Sequence, residues 1–193
     1  MYEYIKGKIV DLTPANVVVE ANSIGWFINI SLNTYTALSG KESAKVYVHQ
    51  VIREDAHSFF GFADKDEREL YRQLITVNGV GSSTAMVMLS SHSTPELKNG
   101  ILTENVAMLK GIKGIGPKTA QRIIIDLKDK IGKSAATDQI FAMPDNTNKD
   151  EALSALVMLG FAKKDAQKAI DQILRENPGF GVEEVIKASL KRL

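Results

Sequence analysis

The first third of the chain alternates apolar and polar positions with a period of two. This alternation predicts β-strands, because successive side chains of a strand point to opposite faces. Turn-forming pairs such as Thr13-Pro14 separate the alternating segments. The predicted strands cover residues 4–12, 16–21, 24–32, 45–52 and 58–62.

Five short strands have unpaired edges that a folded protein has to cover. A small closed barrel removes these edges, so we expect an OB-like β-barrel over residues 1–63. An open meander that packs against the next segment remains an alternative.

From residue 64 onwards, the apolar positions recur at helical spacing. Asp64 and Glu67 form a predicted capping pair, Thr94 is a predicted N-cap, and Thr103 is expected to start a short helix. A longer helix is predicted over residues 117–131.

Small and polar residues around Pro144 interrupt the helical pattern. After them, apolar stripes that include Leu159 stop at Gly160 and again at Asn177. The predicted fold class is therefore α+β with several domains. These are the barrel at 1–63, a helical domain at 64–139, a flexible linker at 140–148 and a three-helix bundle at 149–193.

The most informative feature of the sequence is an internal repeat. Residues 74–81 end in Asn78-Gly79-Val80-Gly81, and residues 109–116 end in Lys113-Gly114-Ile115-Gly116, at an offset of 35 positions. Helical segments flank both copies. The pattern is that of a duplicated helix-hairpin-helix motif.

The glycines of this motif allow a tight hairpin with positive φ angles, and Val80 and Ile115 between them are expected to anchor it in the core. Amides at the start of the following helix, with the positive end of the helix dipole behind them, bind phosphate without reading bases. The candidate DNA-binding residues are Gly79, Gly81, Ser82, Ser83, Lys110, Lys113, Gly114, Gly116, Lys118, Thr119 and Arg122.

Other glycine motifs fit this sequence less well. Gly116-Pro117-Lys118-Thr119 differs from a Walker loop by an inserted proline, which also removes an amide. Thr119 stands where a dinucleotide-binding motif needs its last glycine. Simple tight turns between helices remain an alternative for both hairpins.

The distribution of charge supports phosphate binding. The whole chain has a net charge of only +1, but residues 105–134 contain seven basic and two acidic side chains. This excess surrounds the second hairpin, as contact with phosphates requires. The first hairpin continues as Ser82-Ser83-Thr84 without a basic residue, so we expect it to contribute less binding energy.

The composition excludes sites that depend on cysteine, and the hydropathy of the chain indicates its location. The 193 residues contain no Cys, which excludes disulfides, Cys-ligated zinc and thiol catalysis. No apolar run is long enough to span a bilayer, and the N-terminus has no signal-peptide pattern, so we expect a cytoplasmic protein. No metal and no cofactor is expected.

In order and size, these segments resemble the RuvA family, whose members bind Holliday junctions in the bacterial branch-migration complex. The resemblance covers essentially the whole chain. Its most specific segments are residues 51–56, Phe60-Gly61-Phe62, residues 78–81, residues 114–120 and Leu159-Gly160-Phe161 in a C-terminal module that resembles a UBA-like bundle.

The resemblance implies a non-catalytic DNA-binding subunit that acts in homologous recombination, DNA repair and the SOS response. It implies a homotetramer that holds a four-way junction open and square-planar and recruits a RuvB-type AAA ATPase. Two further points stay open, namely an octamer on the junction and an additional contact with the RuvC junction resolvase.

The resemblance also assigns roles to two short segments. Glu54 and Asp55 form an acidic pin near the junction centre, where carboxylates repel phosphates. A solvated turn and a Mg²⁺-dependent nuclease site are the alternatives for this pair. Leu159, Gly160 and Phe161 bind the motor, with a helix C-cap and a core aromatic as the alternative.

A general single-strand binder is a further hypothesis, since OB-like barrels bind nucleic acid by stacking bases on aromatic side chains. Trp26 and Tyr47 are its candidate platforms, although packing in the core or an interface also explains Trp26.

Overall fold

The computed structural model describes residues 2–141 and 147–193. The chain divides into two compact units, residues 1–132 and 133–193. The first unit contains two hydrophobic cores, one in the barrel and one among the helices. Within the described residues, no helix is both long and apolar enough to cross a membrane.

The five strands close into a barrel in the order β1-β2-β3-β5-β4, which confirms the predicted fold of this segment. β3 and β5 pair in parallel, and the other neighbours pair antiparallel. Alternate side chains such as Val17, Val19, Val46 and Val48 fill the barrel. The strands are β1 (Tyr4–Leu12), β2 (Asn16–Ala21), β3 (Ile24–Ile30), β4 (Ser43–Ile52) and β5 (His57–Phe62).

The helices of the first unit begin at caps that differ in part from the predicted ones. Ser93, rather than Thr94, caps α4, because its side chain and that of Glu96 form a complete capping box. Thr103 ends α4, and the side chain of Asn105 caps α5 instead. The helices are α1 (Leu32–Leu38), α2 (Lys65–Leu74), α3 (Ser82–Ser91), α4 (Thr94–Leu102), α5 (Val106–Lys110) and α6 (Pro117–Phe141).

Helix α1 was not expected from the sequence pattern. The predicted strand over residues 24–32 ends at Ile30, because Ser31 caps α1 and accepts a hydrogen bond from the Thr34 amide at 3.0 Å. Asn33 then donates to the carbonyl oxygens of Leu89 at 2.6 Å and His92 at 3.0 Å. These bonds join α1 to the end of α3.

Glu67 joins α2 to α1. Its buried carboxylate accepts from the hydroxyls of Ser31 and Thr34, the latter at 2.6 Å, and from the Ala63 amide at 3.3 Å. The predicted capping pair is therefore only half formed: Asp64 accepts from the Glu67 amide at 2.8 Å, but the Glu67 side chain turns towards α1. Burial raises the pKa of Glu67, and its hydrogen bonds oppose that rise.

Helix α6 continues past its predicted end at residue 131 to Phe141. No proline follows before Pro144, and Ala135 and Ala136 favour helix, so nothing in the sequence stops it earlier. Residues 140 and 141 of the predicted linker therefore belong to α6, and residues 147 and 148 belong to α7. The rest of that linker, residues 142–146, lies outside the described residues.

In the described part of the second unit, three helices follow the end of α6 and pack around a small core, as predicted. Ala152, Leu156, Ile170 and Val185 are fully buried in it. Leu159 was expected in an apolar core stripe but is 61% exposed, because α7 ends just before it. The helices are α7 (Thr147–Met158), α8 (Lys163–Glu176) and α9 (Val182–Leu190).

Candidate nucleic-acid interface

The two glycine hairpins have the same conformation. The first connects α2 to α3, and the second connects α5 to α6. Gly79 has a φ of +93° and Gly114 a φ of +92°, in the left-handed region that a Cβ disfavours. Val80 and Ile115 follow these glycines and are 4% and 5% exposed. The expected anchoring of both hairpins in the core is confirmed.

Backbone hydrogen bonds repeat at the same offset of 35 positions. The Val80 amide donates to the Val77 carbonyl at 3.0 Å, and the Ile115 amide donates to the Ile112 carbonyl at 3.1 Å. At the start of α3 and α6, the first helical bonds to the carbonyls of Gly81 and Gly116 both measure 2.9 Å. The sequence repeat is thus a structural repeat.

The helix starts after both hairpins are open to an approaching group. A Cβ built on Gly81 or Gly116 would meet no atom of the described residues within 4 Å. Gly81 also caps α3 without a side-chain hydrogen bond, so within the described residues the cap itself supplies no acceptor to the first amides of α3. Pro117 supplies no amide at the corresponding position of α6. Each hairpin therefore presents backbone donors, with one fewer in the second.

The two hairpins lie side by side. A Cβ on Gly79 would lie 3.8 Å from Oγ1 of Thr119, which belongs to the start of α6. The structure therefore brings residues from both repeats, far apart in sequence, onto one surface.

Charge differs between the hairpins at every equivalent basic position. Lys110, Lys113, Lys118 and Arg122 are all exposed, and within the described part of the chain no carboxylate lies within 4.0 Å of their cationic groups. In the first repeat, the equivalent residues are Ile75, Asn78, Ser83 and Val87.

One cation near the second hairpin is already neutralised. Lys128 forms a salt bridge of 2.5 Å with Glu104, and this contact lowers the pKa of the Glu104 carboxyl. Lys128 therefore offers less charge to a ligand than the four exposed basic residues before and after Gly114.

Glu54 and Asp55 lie at the tip of the hairpin between β4 and β5. The Arg53 amide donates to the Ala56 carbonyl at 2.8 Å and closes the turn, and both carboxylates are exposed. Across residues 2–141 and 147–193, neither belongs to a group of three or more side chains with metal-ligating chemistry.

Tyr71 packs α2, which leads into the first hairpin, against β5, which follows the acidic turn, and the sequence analysis missed it. The ring is fully buried and packs on Phe60 and Phe62 at centroid distances of 5.4 and 4.9 Å. Burial raises the pKa of Tyr71 to about 12, and the nearby Ser82 hydroxyl and Arg53 charge oppose that rise. The ring thus lies between α2 and β5. An aromatic residue at the end of α2, opposite Phe60-Gly61-Phe62, was the available signal.

Trp26 is not a free stacking platform. It is half-buried, and its ring packs against Phe59 at 5.5 Å and Tyr2 at 5.7 Å. The indole therefore covers the barrel core, in agreement with the packing alternative.

In the second unit, the Leu159-Gly160-Phe161 segment divides into exposed and packed parts. Met158 and Leu159 are 87% and 61% exposed, whereas Phe161 is half-buried against the bundle core. Phe161 and Leu193 also line a groove of about 390 Å³. Gly160, with a φ of +99°, makes the turn between these parts.

Comparison with known proteins gives matches along most of the chain. Residues 1–61 match a model of the RuvA N terminal domain, residues 71–129 a SAM-like helix-hairpin-helix tandem, and residues 147–193 a RuvA C-terminal domain. Three similar proteins share the name Holliday junction branch migration complex subunit RuvA. They come from Christiangramia forsetii (48% identity over 193 residues), Bacteroides fragilis (52% over 201) and Flavobacterium psychrophilum (46% over 193), and each match covers 100% of both chains.

Proposed function

The chain belongs to the RuvA family, and from this premise we propose that it is the non-catalytic, junction-binding subunit of a branch migration complex. It binds four-way DNA junctions and recruits a RuvB-type ATPase, which supplies the ATP hydrolysis. The observation that carries the DNA-binding role is the pair of exposed glycine hairpins with matching backbone geometry.

The hairpins grip DNA through its phosphates. Amides at the start of a helix donate to an anion, and the helix dipole favours negative charge there. Because Gly81 and Gly116 leave open space, a phosphate oxygen can approach the backbone closely. Such contacts fix the position of a duplex arm without selecting its sequence, as a protein that binds junctions of any sequence requires.

The basic side chains around the second hairpin supply the long-range attraction. Lys113 and Lys118 flank Gly114 and Gly116, and Arg122 lies one helical turn after Lys118. Each phosphate that these cations neutralise releases counterions, so affinity falls with salt, with a slope of about 0.9 log units per contact.

Glu54 and Asp55 discriminate against DNA that crosses the centre of the assembly. A fixed pair of carboxylates repels phosphates at close range, so strands at the crossover are held apart. The packing of Tyr71 of α2 on Phe60 and Phe62 of β5 supports a fixed position of the first hairpin, which follows α2, relative to the acidic turn, which precedes β5. Plain duplex DNA is also attracted by the hairpins. Because it has no open centre, its phosphates are repelled by the two carboxylates.

Four copies of the chain form the active assembly. A four-way junction presents four equivalent arms, and a cyclic tetramer presents four equivalent pairs of hairpins. Four basic surfaces on one face of a ring also add up to a stronger field than one chain provides. An octamer that encloses the junction, and a contact with the RuvC resolvase, extend this proposal. The cytoplasm, where bacterial DNA lies, is its proposed location.

The second unit binds the motor. The exposed side chains of Val157, Met158 and Leu159 form a small apolar patch at the end of α7, which solvent exposure disfavours. Gly160 and Phe161 follow this patch in the chain, and Phe161 packs against the bundle core. A protein partner that covers the patch removes this apolar surface from water, which favours binding.

A competition gel shift tests the proposed DNA specificity. A labelled four-way junction is bound by the protein and challenged with unlabelled junction, duplex and single strand of the same sequence. We expect junction to compete at a concentration at least about tenfold lower than the others, because only junction engages all four arms. Equal competition by duplex would contradict the proposed function.

A further inference from the structure

The outer face of strands β1 and β4 has a composition that the hairpins do not explain. Tyr4, Lys6 and Lys8 lie on this face of β1, since alternate residues of a strand share a side. In the register of the barrel, Tyr4 pairs with Tyr47 and Lys6 pairs with Lys45. The lysine–tyrosine face is defined here by Tyr4, Lys6, Lys45, Tyr47 and Lys65.

Lys6 and Lys45 form an unfavourable pair. Directly opposed residues of an antiparallel pair have their Cβ atoms about 5 Å apart, and like charges in this position destabilise a sheet. Both side chains are exposed. Among the residues that the structure describes, no carboxylate lies within 4.0 Å of the amino groups of Lys6, Lys45 or Lys65. An anion bound between them would remove the repulsion.

The two tyrosines provide flat apolar surface beside these cations. Tyr4 is 49% exposed, and its ring centroid lies 6.5 Å from that of Tyr47 in an edge arrangement. The Lys45 amino group lies 4.6 Å from the Tyr4 ring centroid and 5.5 Å from that of Tyr47. Lys65 of α2 approaches Tyr47 at 6.0 Å. The exposed ring of Tyr4, with half-buried Tyr47 and lysines that have no carboxylate partner beside it, provides the two elements that bind bases and phosphates of single strands.

Glu3 and Glu20 lie at opposite ends of this face, and they leave its centre positive. Glu3 is held by Arg68 at 2.6 Å, and this ion pair lowers the pKa of the Glu3 carboxyl. Glu20 pairs in register with Lys8 at the other end of the face. Lys6 and Lys45 lie between these two borders.

We propose that the lysine–tyrosine face is a second nucleic-acid site, which binds single-stranded DNA by stacking a base on Tyr4 and neutralising phosphates with Lys6, Lys45 and Lys65. Side chains two residues apart on a strand are about 6.7 Å apart, close to the spacing of successive nucleotides in an extended strand. The site is separate from the hairpins and does not depend on their role at junctions.

The test compares binding of labelled oligo-dT and of a labelled four-way junction by fluorescence anisotropy. The double variant Lys6→Glu, Lys45→Glu should bind oligo-dT at least about tenfold more weakly, with junction affinity within about twofold of wild type. Lys163→Glu with Lys164→Glu is the matched control, because it makes the same charge change at two exposed lysines of α8.

Single substitutions at Tyr4 separate stacking from charge. Tyr4→Leu should weaken oligo-dT binding by about fivefold or more, and Tyr4→Phe should retain wild-type affinity, because only the ring is needed. Far-UV circular dichroism and the thermal midpoint check that each variant is folded.

Three results would overturn the proposal. The first is absence of oligo-dT binding by the wild-type protein, which leaves the junction role intact. The second is an equal loss of junction and oligo-dT affinity in the double variant. The third is a change in assembly mass by light scattering with unaltered oligo-dT binding, which would assign the face to contact with a second copy of the chain.

Discussion

The two hairpins of the first unit share a backbone and differ in almost everything exposed around it. Their glycine φ angles agree within one degree, at +93° for Gly79 and +92° for Gly114. Yet the second hairpin is surrounded by four exposed basic residues, and the first has an uncharged residue at each equivalent position. Backbone geometry and electrostatic attraction are therefore separable parts of this interface.

The first hairpin lacks the basic residues of the second, but its flanking helices are connected to the barrel segment. Helix α2, which precedes it, is held to α1 through Glu67, and α3, which follows it, is held to α1 through Asn33. Tyr71 of α2 also packs against Phe60 and Phe62 of β5. The difference between the repeats indicates a division of roles, in which the first hairpin fixes the orientation of the DNA relative to the acidic turn and the second supplies most of the attraction.

Charge reversal at equivalent positions is expected to have the largest effect. Lys118→Glu should weaken junction binding on the order of 100-fold in the tetramer, because an attractive cation becomes a repulsive anion in every copy. Ser83→Glu, at the equivalent position of the first hairpin, should cost about tenfold. Both values come from anisotropy titrations at one salt concentration, and equal losses would refute the unequal roles.

Transplanting the charges tests the same comparison in the opposite direction. Ser83→Lys with Val87→Arg gives the first hairpin the side chains that Lys118 and Arg122 give the second. Junction affinity should rise about tenfold, and the salt dependence should steepen by about 0.9 log units for each new phosphate contact. Affinity that stays unchanged across the salt series would show that the first hairpin does not face DNA. Lys41→Arg, which leaves the net charge unchanged, is the control for effects of preparing a variant protein.

Alanine at the positive-φ glycines tests the shared backbone. Gly79→Ala and Gly114→Ala should each lower the free energy of unfolding by about 1–2 kcal/mol, since a Cβ is disfavoured in the left-handed region. Gly81→Ala and Gly116→Ala are the matched controls, because they have open space and no positive φ. Urea denaturation gives these values, and a large difference between the Gly79 and Gly114 variants would contradict the structural repeat.

A smaller effect is expected from the pH dependence of the Glu67 connection. Burial raises the pKa of Glu67 in the folded protein above its ordinary value of 4.5, so the folded state binds the proton more tightly than the unfolded state. Stability relative to Glu67→Gln should therefore rise as the pH falls through the raised pKa towards about 4.5, and level off below it. Urea midpoints of both proteins at several pH values give this difference, and a fall in the relative stability would reverse the assigned sign.

The sequence predicts the repeating parts of the fold better than the irregular ones. The bounds of β1 and β2 and the burial of Val80 and Ile115 follow from periodicity and glycine spacing. Helix α1 was missed because its polar residues Ser31 and Thr34 are buried by pairing with Glu67, a contact between distant segments that no local pattern reveals.

The candidate site shows the same limit. Local sequence identifies both hairpins and the cations near the second, but it does not place Thr119 beside Gly79. The positions of Tyr71 and of the lysine–tyrosine face depend on the register of the barrel and its packing on α2. Long-range pairing of this kind becomes visible only in three dimensions.

The chemical shifts of the backbone amides test most directly the claim that both hairpins hold DNA phosphates. In a ¹⁵N–¹H TROSY titration of the wild-type protein with a four-way junction, the amides of Gly79, Gly81, Gly114 and Gly116 should move together and saturate at one junction per assembly. If these four signals stay in place while others shift, the hairpins do not hold the phosphates, and the account is contradicted.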